Sequence, residues 1–213
     1  MLLVGVTGNY GMGKSTVLGL FKNLGGIIID ADEIVDSLLG EKDVLEKIRK
    51  VLGETVFLKN GRLSKKRVAH IVFKNDSLRR SLEDILHPLV FRKINLLLNK
   101  KDFRDKLVFV ETPLLFERGY ERRFDTTITV YAEEEAALRR LEKEGISRRE
   151  SQLRLKAQLP IEEKIKRPDF TVDNNGAIRE TTSQVERIYR ELLKKAKEDG
   201  NSTRAREIKH ELS

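Results

Sequence analysis

The run Gly8-Asn9-Tyr10-Gly11-Met12-Gly13-Lys14-Ser15 constrains this chain more than any other stretch, because of what flanks it. Before it stands Leu2-Leu3-Val4-Gly5-Val6, a continuous apolar run of the kind that a parallel sheet buries on both faces. After it, Val17, Leu20, Phe21 and Leu24 fall at helical spacing and predict a helix from Thr16 to Leu24, ended by Gly25-Gly26. Gly26 to Asp30 then reads as a second buried strand. Strand, glycine-rich loop, helix and strand make a βαβ unit with a right-handed crossover. In that setting the run fits G-x-x-x-x-G-K-[ST], the P-loop pattern. Its glycines let consecutive N–H groups point inward and, with the positive end of the helix dipole, form an anion nest. Lys14 is expected on a solvent-facing loop, reaching β- and γ-phosphates, with the Ser15 hydroxyl in a Mg²⁺ position.

From Glu33 the pattern turns helical. Leu45, Ile48 and Leu52 share a face, as do Val68, Ile71 and Val72, and then Leu78, Leu82, Ile85 and Leu86, with Asn60-Gly61 as a turn between stretches. Strand signals return at Leu107 to Val110 and at Thr126 to Tyr131. A helix from Glu133 to Glu144 is ended by Gly145, and Ser147 with Glu150 opens another towards Gln158. Six arginines lie between Arg139 and Arg167. Phe170 to Val172 reads as a last strand, Val185, Ile188, Tyr189, Leu192 and Leu193 mark a final amphipathic helix, and the polar tail beyond Lys197 is expected to fray. The predicted class is α/β. Its core is a parallel sheet flanked by helices (1–32, 107–132 and 168–197), with an inserted helical lobe at 33–106 and a helical lid at 133–167, in one domain of 213 residues.

Composition removes several function classes. Without cysteine there is no disulfide framework or thiolate chemistry, and three scattered histidines do not suit a zinc cluster. No stretch approaches the ~18 apolar residues of a membrane span, and the amino terminus lacks the basic segment and cleavage site of a signal peptide, so a cytoplasmic protein is expected. The net charge of +8 calls for an anionic partner but does not choose among nucleic acid, acidic lipid and phosphorylated metabolites.

Three further features narrow the chemistry. Asp30-Ala31-Asp32 ends the second strand, and in an extended segment both carboxylates point the same way, towards the edge where a phosphoryl acceptor would be oriented and deprotonated. The bland alternative makes Asp32 a helix cap. Glu111, ending the third strand, suits a carboxylate that holds Mg²⁺ through water. The basic hairpin, beside a P-loop, suits a lid whose arginines close over the transferring phosphoryl. Asn99-Lys100-Lys101-Asp102 matches the guanine-reading N-K-x-D pattern, but helical spacing through Leu97-Leu98 and the lack of a D-x-x-G between the P-loop and Asn99 argue against a GTPase.

Together these motifs resemble the dephospho-CoA kinase family. The resemblance rests on Val6 through Thr16, Asp30-Ala31-Asp32, Asn60-Gly61-Arg62-Leu63, His87-Pro88, Pro113-Leu114-Leu115-Phe116-Glu117, and the pattern Arg154, Gln158, Lys164, Asp169, Asn174, Gly176, in order over residues 4 to about 176. It implies a P-loop kinase core with a CoA-binding lobe and a lid. It further implies transfer of the γ-phosphoryl of ATP to the ribose 3′-hydroxyl of dephospho-CoA, with Asp32 as general base and Arg140 and Arg154 as lid arginines. By the same resemblance Gly8 through Thr16, Asn174 and Gly176 bind ATP, and Arg62, His87 and Leu115 join Asp32 on the acceptor. Asn9, Glu111, Glu144 and Pro168 depart from the usual family residues, and Glu144 leaves Arg139 or Arg148 as alternative lid arginines. Expected partners are ATP and dephospho-CoA, without nucleic acid or membrane, in a monomer or small homo-oligomer. A nucleoside monophosphate kinase or other small-acceptor kinase, and a nucleic-acid-binding ATPase, remain the alternatives; the last is weakened by 6% aromatic content.

Overall fold

The structure, a computed structural model, describes the backbone of residues 1–100, 103 and 106–211, and side chains through residue 198 except that of residue 100. In chain order the elements are β1 (Leu2–Thr7), α1 (Lys14–Asn23), β2 (Ile27–Ile29), α2 (Ala31–Leu38), α3 (Lys42–Leu52), α4 (Lys65–Val72), α5 (Asp76–Lys100), β3 (Leu107–Glu111), β4 (Thr126–Tyr131), α6 (Glu134–Lys143), α7 (Arg148–Lys156), α8 (Ile161–Lys164), β5 (Phe170–Asp173) and α9 (Ile178–Glu211). The fold is α/β, and the chain divides into two compact units, Met1–Ile29 with Phe103–Ser213, and Asp30–Asp102.

The first unit is built on a five-stranded, wholly parallel sheet of order β2-β3-β1-β4-β5. β1 sits at its centre, with Val4 opposite Phe109 on one side and Thr126 on the other. Buried on both faces, its residues have no need of alternation, which is why the strand reads as a continuous apolar run. Because β1 is flanked by β3 and β4, the loop that follows it lies at the switch point of the sheet, where open α/β sheets bind ligands at the carboxyl ends of their strands.

One apolar layer joins the sheet to α1 and α9. Val17, Leu18 and Phe21 meet Val185, Ile188, Leu192 and the strand residues Leu2, Val4, Phe109 and Ile128 in a single buried cluster. The Phe21 and Phe109 rings stack with centroids 4.4 Å apart. Gly26 makes that stack possible, since a Cβ there would stand 2.7 Å from the Phe109 ring and 2.9 Å from the Phe21 carbonyl oxygen. α9 continues in its backbone to Glu211, past Lys197 where fraying was expected. No proline interrupts that stretch, and Gly200 costs only about 1 kcal/mol relative to alanine in a helix.

The second unit is helical. Val44, Ile48 and Leu52 of α3 pack with Val56, Phe57, Val72 of α4 and Leu86 of α5. Asn60-Gly61 forms the expected turn, closed by the Leu58 N–H on the Arg62 carbonyl at 2.8 Å and permitted by Gly61 at φ 78°. α5 runs unbroken through Pro88 and carries Asn99 and Lys100 at its end, so the first half of the N-K-x-D match is helix; Lys101 and Asp102 lie outside the described residues. Asp30 does not extend β2. Its side chain instead accepts from the N–H groups of Asp32 at 2.8 Å and Glu33 at 3.3 Å and caps α2.

Truncation of the stacked pair tests this packing. Phe109→Ala should destabilise the sheet unit by about 3–5 kcal/mol in chemical denaturation, whereas Leu96→Ala, on an exposed position of α5, should change stability by no more than about 0.5 kcal/mol. Equal small effects at both positions would contradict the assigned core.

Candidate active site

The loop between β1 and α1 is a nest that only glycine can form. Gly8 and Gly13 adopt φ of 150° and 88°. A Cβ on Gly8 would fall 2.3 Å from the Val130 carbonyl oxygen, and one on Gly13 would fall 2.1 Å from Asn174 Nδ2. Gly13 is also the N-cap residue of α1, and neither a capping side chain nor an acidic residue occupies the first turn. The N–H groups at the end of the helix, beside exposed Ser15 and Thr16, are thereby left to an anion.

Lys14 is buried, with 8% of its surface exposed, because it opens α1 under the loop rather than standing on a solvent-facing turn as expected. Its Nζ donates to the Asn9 carbonyl at 3.3 Å and lies 3.6 Å from Glu111 Oε1. Glu111 ends β3, the strand next to β1, so the parallel register itself brings this carboxylate to the lysine.

Three connections hold the nest. Asn174, just past β5, donates from Nδ2 to the Met12 carbonyl at 3.0 Å and accepts from Thr181 Oγ1 at 3.1 Å. Its own carbonyl accepts from Arg140 Nη2 at 2.7 Å, and Arg140 Nη1 stands buried without a hydrogen-bond partner among the described residues, 3.5 Å from the place a Gly13 Cβ would take. Gly176, also assigned to ATP by resemblance, is exposed in the turn before α9, where a Cβ would collide with Glu180 Oε2 at 1.9 Å. Tyr10 receives Arg154: Nη1 donates to the phenol oxygen at 2.7 Å while the guanidinium lies 4.6 Å from the ring centroid. Burial raises the Tyr10 phenol above its ordinary pKa; Arg154 opposes that, and Glu150 and Glu144 add to it. Arg154 Nη2 also donates to Glu150 Oε1 at 2.6 Å.

The other lid arginines lie elsewhere. Arg148 donates to Glu135 through both terminal nitrogens, at 3.2 and 2.5 Å, and Arg139 is exposed on α6. Ser147 caps α7, accepting from the Glu150 N–H at 3.3 Å, as the S-x-x-E pattern predicted.

The second unit carries three of the remaining residues. Asp32 is exposed in the first turn of α2, which starts directly after β2. The extended geometry expected for Asp30-Ala31-Asp32 is therefore corrected: Asp30 is the cap and Asp32 is a helical residue, because the chain turns at Asp30. Arg62 is exposed on the Asn60-Gly61 turn, its N–H on Asn60 Oδ1 at 3.1 Å, and His87 is half-buried on α5. Leu115, assigned to the acceptor by resemblance, lies in the first unit. It is fully buried, with Cδ1 at 3.2 Å from the place a Gly5 Cβ would take, because the residues after β3 fold back onto β1.

Sequence reasoning gave no role to the links beneath the loop. The Tyr10 N–H donates to Gln158 Oε1 at 2.8 Å and Asn9 Nδ2 to the Leu159 carbonyl at 3.0 Å. Lys164 lies wholly buried beside Glu117, 2.8 Å away. In the sequence Lys164 sits in a run of charges and enters only as one residue of the family pattern, without a role of its own. A cleft of about 620 Å³ opens beside the loop, with Met12, Tyr131, Ala132, Gln152, Ile161 and Asn175 in its wall.

The family model of dephospho-CoA kinase matches residues 2–180. A dephospho-CoA kinase of Aquifex aeolicus is 38% identical over 195 residues, covering 91% of this chain and 99% of its own length. Among solved structures, a protein of Thermus thermophilus superposes with a TM-score of 0.77 at 34% identity, covering 90% of this chain and 97% of that one. A dephospho-CoA kinase of Campylobacter jejuni superposes with a TM-score of 0.64 at 29% identity, with the same two coverages of 90% and 97%. The βαβ unit, the nest with its lysine and the parallel sheet are those of a P-loop kinase, and the chain belongs to the dephospho-CoA kinase family.

Proposed function

We propose that this protein, working in the cytoplasm, transfers the γ-phosphoryl of ATP to the ribose 3′-hydroxyl of dephospho-CoA, giving coenzyme A and ADP. The observation that carries the reading is the built phosphate site, a glycine nest over Lys14 with Arg140 and Arg154 held on it, in a chain of this family. The nest and Lys14 bind the β- and γ-phosphates. Arg140 and Arg154 supply positive charge as negative charge spreads over the transferring group. Arg154 reaches the phosphates by exchanging its bonds to Tyr10 and Glu150 for bonds to the nucleotide.

Asp32 orients the acceptor. Its carboxylate takes the proton of the 3′-hydroxyl as that oxygen bonds to the γ-phosphorus, the bond from phosphorus to the bridging oxygen breaks, and ADP departs. Arg62 and His87 serve the acceptor side. Mg²⁺ suits Ser15 and Glu111, one hydroxyl and one carboxylate. Among the described residues no group of three or more His, Cys, Asp or Glu could form a metal cage, and magnesium beside ATP commonly takes only one or two protein ligands. When bound it neutralises charge on the phosphates. No helix of the described residues is long and apolar enough to cross a membrane, in keeping with small soluble substrates.

The proposal is tested by ADP release in the presence of dephospho-CoA, AMP, CMP, shikimate or single-stranded DNA. Dephospho-CoA alone should stimulate it; equal stimulation by a nucleoside monophosphate or by DNA would sink the assignment.

Lys14→Met keeps the buried stem and removes the charge, so the fold should survive while turnover drops ~10²–10³-fold. Near-normal turnover would remove Lys14 from the reaction. Arg140→Ala and Arg154→Ala should lower kcat more than they raise the KM for dephospho-CoA, as expected of groups that act on developing charge. Losses confined to KM would make both arginines a static basic surface.

Asp32→Asn should leave ATP and dephospho-CoA binding in place while transfer falls ~10²–10⁴-fold. Because Asp30 holds the α2 cap, the substitution leaves that cap intact, and thermal stability should barely move. A variant that turns over at the wild-type rate would return Asp32 to a structural role.

A further inference from the structure

Lys164 ends α8 with no exposed surface, a place lysine almost never takes unless paired. Its Nζ donates to Glu117 Oε1 at 2.8 Å and to the Pro113 carbonyl at 2.9 Å. Burial pushes the ammonium below the ordinary lysine pKa; Glu117 opposes this, and the charge of Lys14 adds to it. A buried ion pair of this kind commonly stabilises no more than well-packed apolar side chains would, so stability alone is a poor account of it.

What the pair touches suggests another use. Glu117 Oε1 also accepts from the Leu159 N–H at 3.0 Å. Leu159 and its neighbour Gln158 are the residues that grip the P-loop, through the Leu159 carbonyl on Asn9 Nδ2 at 3.0 Å and Gln158 Oε1 on the Tyr10 N–H at 2.8 Å. On the other side the Pro113 carbonyl accepts from Thr7 Oγ1 at 3.2 Å, at the carboxyl end of β1 where the P-loop begins. The buried ammonium is thus bonded, through one intervening group on each side, to both the start of the loop and the junction that holds its next residues.

We propose that Lys164 is a positioning residue for phosphoryl transfer: with Glu117 it fixes the Gln158–Leu159 junction against Asn9 and Tyr10 and so sets the P-loop before ATP arrives. The role rests on the kinase reading above but concerns the nucleotide side alone. Arg154 lies on α7, which ends at Lys156 just before this junction, so the junction also registers that arginine to the loop.

The test is a double-mutant cycle with Lys164→Met and Gln158→Leu, read as Mg-ATP affinity by calorimetry, which needs no acceptor, and as kcat/KM for ATP. Lys164→Met should lower kcat/KM for ATP by about 10–100-fold, with the KM for dephospho-CoA moving less than about twofold, since small misplacements of a reacting group carry losses of that order. Gln158→Leu should lower it by about tenfold, and the double variant should lose far less than the product, because both substitutions free the same junction. If Lys164→Met does not fold, Lys164→Met/Glu117→Met, which leaves no buried charge unpaired, takes its place. Wild-type ATP affinity and kcat/KM in Gln158→Leu, or multiplicative losses around the cycle, would overturn the proposal. Wild-type protein that bound ATP but did not phosphorylate dephospho-CoA would instead count against the function and leave the calorimetric cycle to decide this role.

Discussion

The approach of Asn174 to Gly13 is the constraint on which the rest of the site depends. The amide of a residue past the last strand donates to the Met12 carbonyl at 3.0 Å, through space that exists only because Gly13 lacks a Cβ. Residues 162 positions apart in sequence are thereby joined at the point where α1 begins. Arg140 reads the same junction from the lid through the Asn174 carbonyl, and Thr181 fixes the amide from α9. A nest of backbone N–H groups binds phosphate well only when its dihedrals are set in advance, and here strand, lid and terminal helix set them together.

The charges follow one arrangement. Both lysines buried near the loop have a carboxylate beside them: Lys14 has Glu111 and Lys164 has Glu117. Arg154, less buried, has Glu150 and the Tyr10 ring. Such pairing lets several positive groups share a small volume. Net positive charge over the whole chain is the weak outward sign of this arrangement, and by itself could not have located it.

Much of the fold was legible because its signals are local. Runs such as Leu2 to Val6 and Leu107 to Val110 are apolar because both faces of a parallel strand are covered, and Asn60-Gly61 and Ser147 with Glu150 announce their turns by residue type. The P-loop was legible for the same reason. What escaped was non-local or depended on a competing bond. Asp30 reads as a strand residue until its side chain is seen capping α2, and nothing local to Leu115 shows that it packs against Gly5. Burial of Lys164 brings together Thr129 of β4, the Pro113 carbonyl after β3 and the Glu117 carboxylate, which no window of sequence displays. Of the residues of the second unit, Arg62 and His87 owe their assignments to family resemblance alone, whereas Asp32 is also marked by its place just after the second strand.

The central claim is that this site moves a phosphoryl group from ATP to one particular oxygen. A single-turnover reaction with γ-labelled ATP and dephospho-CoA, followed by mass spectrometry and phosphorus NMR of the products, tests it most directly. The account predicts the label in the 3′-phosphate of coenzyme A, in step with ADP formation. Label released as inorganic phosphate, or attached elsewhere on the acceptor, would contradict it.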